Sequence, residues 1–131
     1  MQRGEIRIVV VDDEPTLLES MSSYLTRLGY VVTAFLDAQL AWDSFAADPL
    51  AFSVIIVDLT LDGMSGEEFI GKVLQLRPDV VVLATSGYPQ ALRKLHELPG
   101  ARVGTLEKPF TPRMLTDALD RLLASQKSAP S

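Results

Sequence analysis

Short apolar runs without polar alternation punctuate this chain: Ile6 to Val11, Tyr30 to Phe35, Phe52 to Val57, Val80 to Thr85, and a brief one from Val103 to Leu106. Their β-branched residues and continuous hydrophobicity predict strands covered on both faces, as in a parallel sheet. Between them apolar residues return at helical spacing. Leu17, Leu18, Met21, Tyr24, Leu25 and Leu28 predict a helix entered through Pro15 and ended at Gly29. Asp37 is placed to cap a second helix carrying Leu40, Ala41, Trp42 and Phe45, which Asp48-Pro49 stops. Ser65-Gly66-Glu67-Glu68 has capping-box spacing ahead of Phe69, Ile70, Val73 and Leu74, and Arg77-Pro78-Asp79 closes that helix. A weaker helix is expected from about Gln90 to Glu97. Thr111-Pro112 caps a last one with Met114, Leu115, Ala118, Leu119, Leu122 and Leu123. Five strands alternating with five helices predict right-handed crossovers and an α/β, doubly wound, five-stranded parallel sheet.

At 131 residues the chain suits one hydrophobic core, so a single domain is expected over residues 6–124, with a tail at 1–5 and a polar tail or linker stub at 125–131. A formal net charge of -5, with Lys and Arg scattered, argues against direct nucleic-acid binding. There is no cysteine, no apolar stretch of membrane-spanning length and no signal segment at the start, so a cytoplasmic protein without membrane insertion is expected.

The strand ends carry the candidate chemistry. Asp12-Asp13 follows the first strand and Asp58 the third, which brings three carboxylates together if those strands are neighbours. Ligands of such sheets bind outside the carboxyl ends of the strands. Clustered carboxylates repel unless a cation sits among them, and hard oxygen donors suit Mg²⁺. Ser86 after the fourth strand and Lys108 after the fifth add a neutral hydrogen-bond donor and a point charge, which a phosphoryl group needs. Taken singly, each has a plainer role: an Asp after a strand serves turns and caps, Ser86 before Gly87 suits a turn, and Lys108 suits a solvated surface. Their joint placement discriminates.

The stretches Val9-Val10-Val11-Asp12-Asp13-Glu14-Pro15, Val57-Asp58 with Gly63-Met64-Ser65-Gly66, Thr85-Ser86-Gly87-Tyr88 and Glu107-Lys108-Pro109-Phe110 together resemble the receiver domain of two-component response regulators, including receivers fused to hybrid histidine kinases. The resemblance implies a flavodoxin-like fold and a protein that is no enzyme beyond its own phosphorylation and dephosphorylation. It makes Asp58 the phosphoacceptor, Asp12, Asp13 and Asp58 the Mg²⁺ carboxylates, and Thr60 a metal ligand through its backbone carbonyl. Ser86 and Lys108 would contact the phosphoryl oxygens. The implied partner is a sensor histidine kinase or phosphotransfer domain, with a homodimer possible through the fourth helix, fifth strand and fifth helix. Lys108-Pro109 is expected to be cis, as that peptide usually is in the family.

The chain departs from the family pattern at Leu61 and Asp62, where Met then Pro usually stand, and at Thr105, where many receivers carry an aromatic ring. With Thr105 in that place, Tyr88 becomes the candidate for reading out the state of Ser86. Other readings fare worse. A flavin-binding module would need a phosphate loop where Asp12-Asp13-Glu14 stands, and an aspartyl-phosphate hydrolase would usually show Asp-x-Asp there and need a cap domain. Gly63 and Gly66 suggest phosphate cradling, but no Gly-rich loop follows the first strand. Trp42 and Phe45 fall on an apolar stripe and read as packing residues, and His96, the only histidine, reads as a surface residue.

Overall fold

The computed structural model describes residues 6–95 and 102–127, with only the backbone described for 125–127. Five strands, β1 (Arg7–Val11), β2 (Val31–Phe35), β3 (Val54–Asp58), β4 (Val81–Ser86) and β5 (Arg102–Glu107), alternate with five helices, α1 (Pro15–Arg27), α2 (Ala38–Ala47), α3 (Gly66–Leu76), α4 (Pro89–Lys94) and α5 (Pro112–Lys127). All strands are parallel, in the order β2-β1-β3-β4-β5. The chain therefore starts beside the middle of the sheet, winds outward to β2, and returns past β1 to β3. This reversal puts the ends of β1 and β3 side by side.

The unbroken apolar runs have a direct cause. Val9 and Val11 face one layer while Ile8 and Val10 face the other, following the strand period of two. On the first side Ile55, Val57, Val82 and Ala84 meet Phe45 of α2, Phe69 of α3 and Leu92 of α4. On the second, Ile56, Val81 and Leu83 meet Leu18 and Leu25 of α1 and Leu115 and Leu119 of α5. No polar face is left on the central strands, so no alternation shows in the sequence.

Caps fall where the sequence places them. Asp37 Oδ1 accepts from the Leu40 amide at 2.8 Å, Ser65 Oγ from Glu68 at 3.1 Å, and Thr111 Oγ1 from Met114 at 3.1 Å. Gly29 takes a left-handed φ of 102° just past α1, where an L side chain would be strained. Several boundaries move. Asp58 and Ser86 are the last residues of β3 and β4 rather than loop residues beyond them, and Pro49–Ala51 forms a 3-10 turn that the sequence reading lacks. Leu40 and Met114, counted on apolar stripes, point outward; Ala38, Ala41 and Phe45 bury the inner face of α2 instead. Trp42 packs on the core from the side, stacked 6.3 Å from Phe45 with Lys72 Nζ 5.5 Å over its ring. The fourth helix ends at Lys94, and His96 and Glu97, placed at its end by sequence, lie outside the described residues.

Arg77 does more than end α3. Its Nη1 donates to the carbonyls of Pro49 and Phe52, each at 2.8 Å, while Nε and Nη2 grip Asp79 at 3.0 and 3.2 Å. That clamp joins the end of α3 to the turn leading into β3. Arg77→Ala leaves two part-buried carbonyls without their donor and is expected to cost about 1–3 kcal/mol in a denaturant titration. A loss below roughly 0.5 kcal/mol would show that water replaces the guanidinium.

Candidate active site

At the carboxyl end of the sheet each central strand hands its last polar residue to one spot. Asp12 follows β1 directly and is fully buried, Asp58 ends β3 at 2% exposure, and Ser86 ends β4 fully buried. Asp13, next along, is exposed. The neighbouring strands position them: the Asp12 amide donates to Phe35 O at 3.1 Å, Leu59 to Thr85 O at 2.9 Å, and Lys108 to Ser86 O at 2.8 Å, so the ladder of β1–β5 continues into the loops.

Three of these residues also hold their own loops. Asp12 Oδ1 accepts from the Glu14 amide at 2.9 Å, Asp58 Oδ1 from Thr60 at 2.9 Å, and Ser86 Oγ from Tyr88 at 3.0 Å. These are the two-residue turns in which Asx and Ser side chains imitate the backbone. The plain turn role and the chemical role therefore coexist in one side chain, because each carboxylate or hydroxyl keeps further acceptor or donor capacity.

Lys108 unites the site. Its Nζ donates to Asp12 Oδ2 and to Asp58 Oδ2, both at 2.8 Å, across 96 and 50 residues of chain. The peptide linking it to Pro109 is cis, as expected. Burial works against the ammonium, yet its bonds to Asp12 and Asp58 and the attraction of both carboxylates outweigh that and hold it above 10.5. Asp12 goes the other way relative to an ordinary carboxylate. Burial raises it above 3.8, and the bonds from Lys108 and the Glu14 amide offset only part of that rise.

Oxygen atoms of Asp12, Asp13 and Asp58 lie within 4.8 Å of one another. Against three carboxylates Lys108 supplies one positive charge, so the cluster keeps a net charge of -2 when all are ionised. An all-oxygen donor set with excess negative charge and one exposed member fits a hard, partly hydrated divalent cation. Every buried side-chain polar atom among the described residues has a partner. Thr60 holds Asp58 by two bonds, its amide and its hydroxyl both donating to Asp58 Oδ1, at 2.9 and 2.8 Å. Gly66, considered for phosphate cradling, instead packs α3 onto the main chain of Asp58 and Leu59. Trp42 sits on the α2–α3 side, away from the site, and His96 lies outside the described residues.

A parallel sheet of order 2-1-3-4-5 with two acidic residues after its first strand, an acidic residue ending its third, a hydroxyl ending its fourth and a lysine after its fifth defines a class of phosphate-handling signalling domain. The response regulator receiver domain family matches residues 8–120, and the chain belongs to that family. It is 29% identical over 129 residues to the response regulator protein FleR of Pseudomonas aeruginosa, covering 95% of this chain and 27% of FleR. It is 27% identical over 119 residues to the response regulator receiver protein CpdR of Brucella abortus, covering 89% of this chain and 96% of CpdR. Among solved structures, a CheY-like receiver domain protein from Methanospirillum hungatei superimposes with a TM-score of 0.83 at 27% identity, over 95% of this chain and 98% of that one. The BeF3-activated DrrB receiver domain matches with a TM-score of 0.74 at 30% identity, over 91% and 97%. The chain spans 27%, 58% and 25% of FleR and of the FixJ and DctD regulators, which are thus longer proteins. No helix among the described residues is long and apolar enough to cross a membrane.

Proposed function

We propose that the domain accepts a phosphoryl group on Asp58 from the phosphohistidine of a sensor kinase or phosphotransfer domain, in the cytoplasm, and that the modification alters its binding surface. The observation that carries this reading is the single lysine bridging Asp12 and Asp58 at the carboxyl edge of the sheet, with Asp13 and Ser86 alongside. An Asp58 carboxylate oxygen forms the new O–P bond as the P–N bond to the donor imidazole breaks, and the imidazole nitrogen keeps the electron pair and takes a proton. Asp12, Asp13 and Asp58, with the Thr60 carbonyl, are the groups that would hold Mg²⁺, which when bound neutralises charge on the phosphoryl oxygens. Lys108 supplies a second positive charge and swings from carboxylate to phosphoryl oxygen. Ser86 is already oriented. Its oxygen is occupied by the Tyr88 amide, which leaves its proton free for a phosphoryl oxygen. Any pull on Ser86 reaches Tyr88, whose exposed ring stands at the start of α4, so the surface of α4, β5 and α5 is the proposed place of readout, including self-association.

Incubation with acetyl phosphate and Mg²⁺ should add one phosphoryl mass to the intact protein, and Asp58→Asn should add none. Excess EDTA should also prevent the gain. A phosphoryl group on Asp58→Asn, or on wild type in EDTA at the same rate, would refute the assigned acceptor or the metal requirement respectively.

A further inference from the structure

The carboxylate of Asp58 is more fully occupied than accepting a phosphoryl group requires. Each of its oxygens has two lone-pair positions in the carboxylate plane. On Oδ1 both are taken, by the Thr60 amide at 2.9 Å and the Thr60 hydroxyl at 2.8 Å. On Oδ2 one is taken by Lys108 Nζ at 2.8 Å. The two Thr60 bonds are not equivalent. The amide is fixed by the course of the chain, since Thr60 follows Leu59, whose own amide is pinned to Thr85 O. The hydroxyl hangs from an exposed residue and turns by rotation about one bond, exchanging Asp58 for water.

Building on the reading of Asp58 as acceptor, we propose that the Thr60 hydroxyl is a removable cap on Oδ1: a positioning group that holds the resting carboxylate and slows its engagement with cation and phosphorus until it rotates away. A hydrogen bond to an anionic oxygen withdraws electron density from it and must be surrendered when that lone pair is needed elsewhere. With the hydroxyl in place, the open lone pair of the carboxylate is the second one on Oδ2, beside Lys108. With it rotated, Oδ1 regains a free position while the amide still fixes the carboxylate plane. Thr60 thereby sets the rate of the domain's own step without touching the donor. The cap costs little to remove, because water is at hand to satisfy the hydroxyl.

Thr60→Val removes the O–H and keeps the shape and the amide, while Thr60→Ser keeps the O–H. The rate of phosphoryl gain from acetyl phosphate at fixed, subsaturating Mg²⁺ should rise about 3- to 10-fold in Thr60→Val, as expected for loss of one charge-assisted bond partly replaced by water. Thr60→Ser should return it to within about twofold of wild type. A role in folding alone predicts the opposite, because a looser site would slow the reaction and lower the melting temperature together. A Thr60→Val rate equal to or below wild type overturns the proposal. So does acceleration in Thr60→Ser matching that in Thr60→Val. If wild type gains no phosphoryl group at all, the assignment of Asp58 fails and the cap falls with it, an outcome plainly different from phosphorylation at unchanged rate.

Discussion

Replacing Lys108 by alanine is expected to lower the stability of the metal-free protein by about 3 kcal/mol, the low end of what removing one partner of a buried ion pair costs. The reason is what remains behind. Asp12 and Asp58 are both buried and would face each other and Asp13 with no positive charge among them. In a domain of this size that is a fall in melting temperature of roughly 10 to 15 °C. The pH dependence identifies the cause. Lys108 has its pKa raised in the folded state, so its contribution is complete below about 10.5 and disappears as pH rises through the higher folded value. The gap between wild type and variant should therefore close in strong base. It should also narrow in acid, for a separate reason. Asp12 is raised by burial, so its ionised form burdens the folded state at neutral pH and is relieved as pH falls through the folded value. Without Lys108 that relief grows. Mg²⁺ at about ten times its dissociation constant should add roughly 1.4 kcal/mol to wild type, and at least as much to the variant, by supplying charge to the same oxygens. Thermal unfolding in EDTA across pH, then with Mg²⁺, measures all of this. A loss under about 1 kcal/mol at neutral pH would mean that water already screens the two carboxylates.

Much of the site was legible because its chemistry sits at strand ends, and strand ends are visible wherever apolar runs stop. Asp12, Asp58, Ser86 and Lys108 all stand at or just past such stops, and the sheet order makes their convergence unavoidable. The balance of forces inside the site was not legible. The sequence presents Lys108 as a group that meets a phosphoryl oxygen, yet it is already committed to the carboxylates of Asp12 and Asp58, which lie 96 and 50 residues away, and no local pattern encodes that. The hydroxyl of Thr60 is legible in part, since a Thr two residues after an Asp is a recognisable turn signal, whereas the family resemblance points only to its carbonyl. Exposed Leu40 and Met114 show the limit of helical periodicity. Spacing names the residues that share a face, but only packing decides how wide the buried face is. Arg77 shows another: its carbonyl partners, 28 and 25 residues back, follow from the turn at Pro49–Ala51, which no hydrophobic pattern announces.

Glycines offer the sharpest contrast between pattern and packing, because two in α3 look alike in sequence and differ in their surroundings. A Cβ built on Gly66 would press on the Asp58 carbonyl oxygen and lie 2.7 Å from Leu59 Cα and 3.0 Å from the Asp58 carbonyl carbon. All are backbone atoms, so no side-chain rotation relieves the overlap. Either the start of α3 or the end of β3 must move. A Cβ on Gly71 would meet nothing within 4 Å. Gly66→Ala is therefore expected to cost about 2–3 kcal/mol, as overpacking against an unyielding neighbour does. Gly71→Ala should instead stabilise by about 0.5–1 kcal/mol, since alanine is the better helix former and loses less freedom on folding. The pair separates packing from propensity within one helix. Because the atoms displaced at Gly66 belong to Asp58 itself, its alanine variant should also lose phosphoryl gain from acetyl phosphate well below its melting temperature, by about tenfold or more if the carboxylate is misplaced by an ångström. Gly71→Ala should react like wild type. Equal stabilities for the two variants would refute the close approach at Gly66. An unimpaired rate in a destabilised Gly66→Ala would show that α3 yields and leaves the end of β3 where it is.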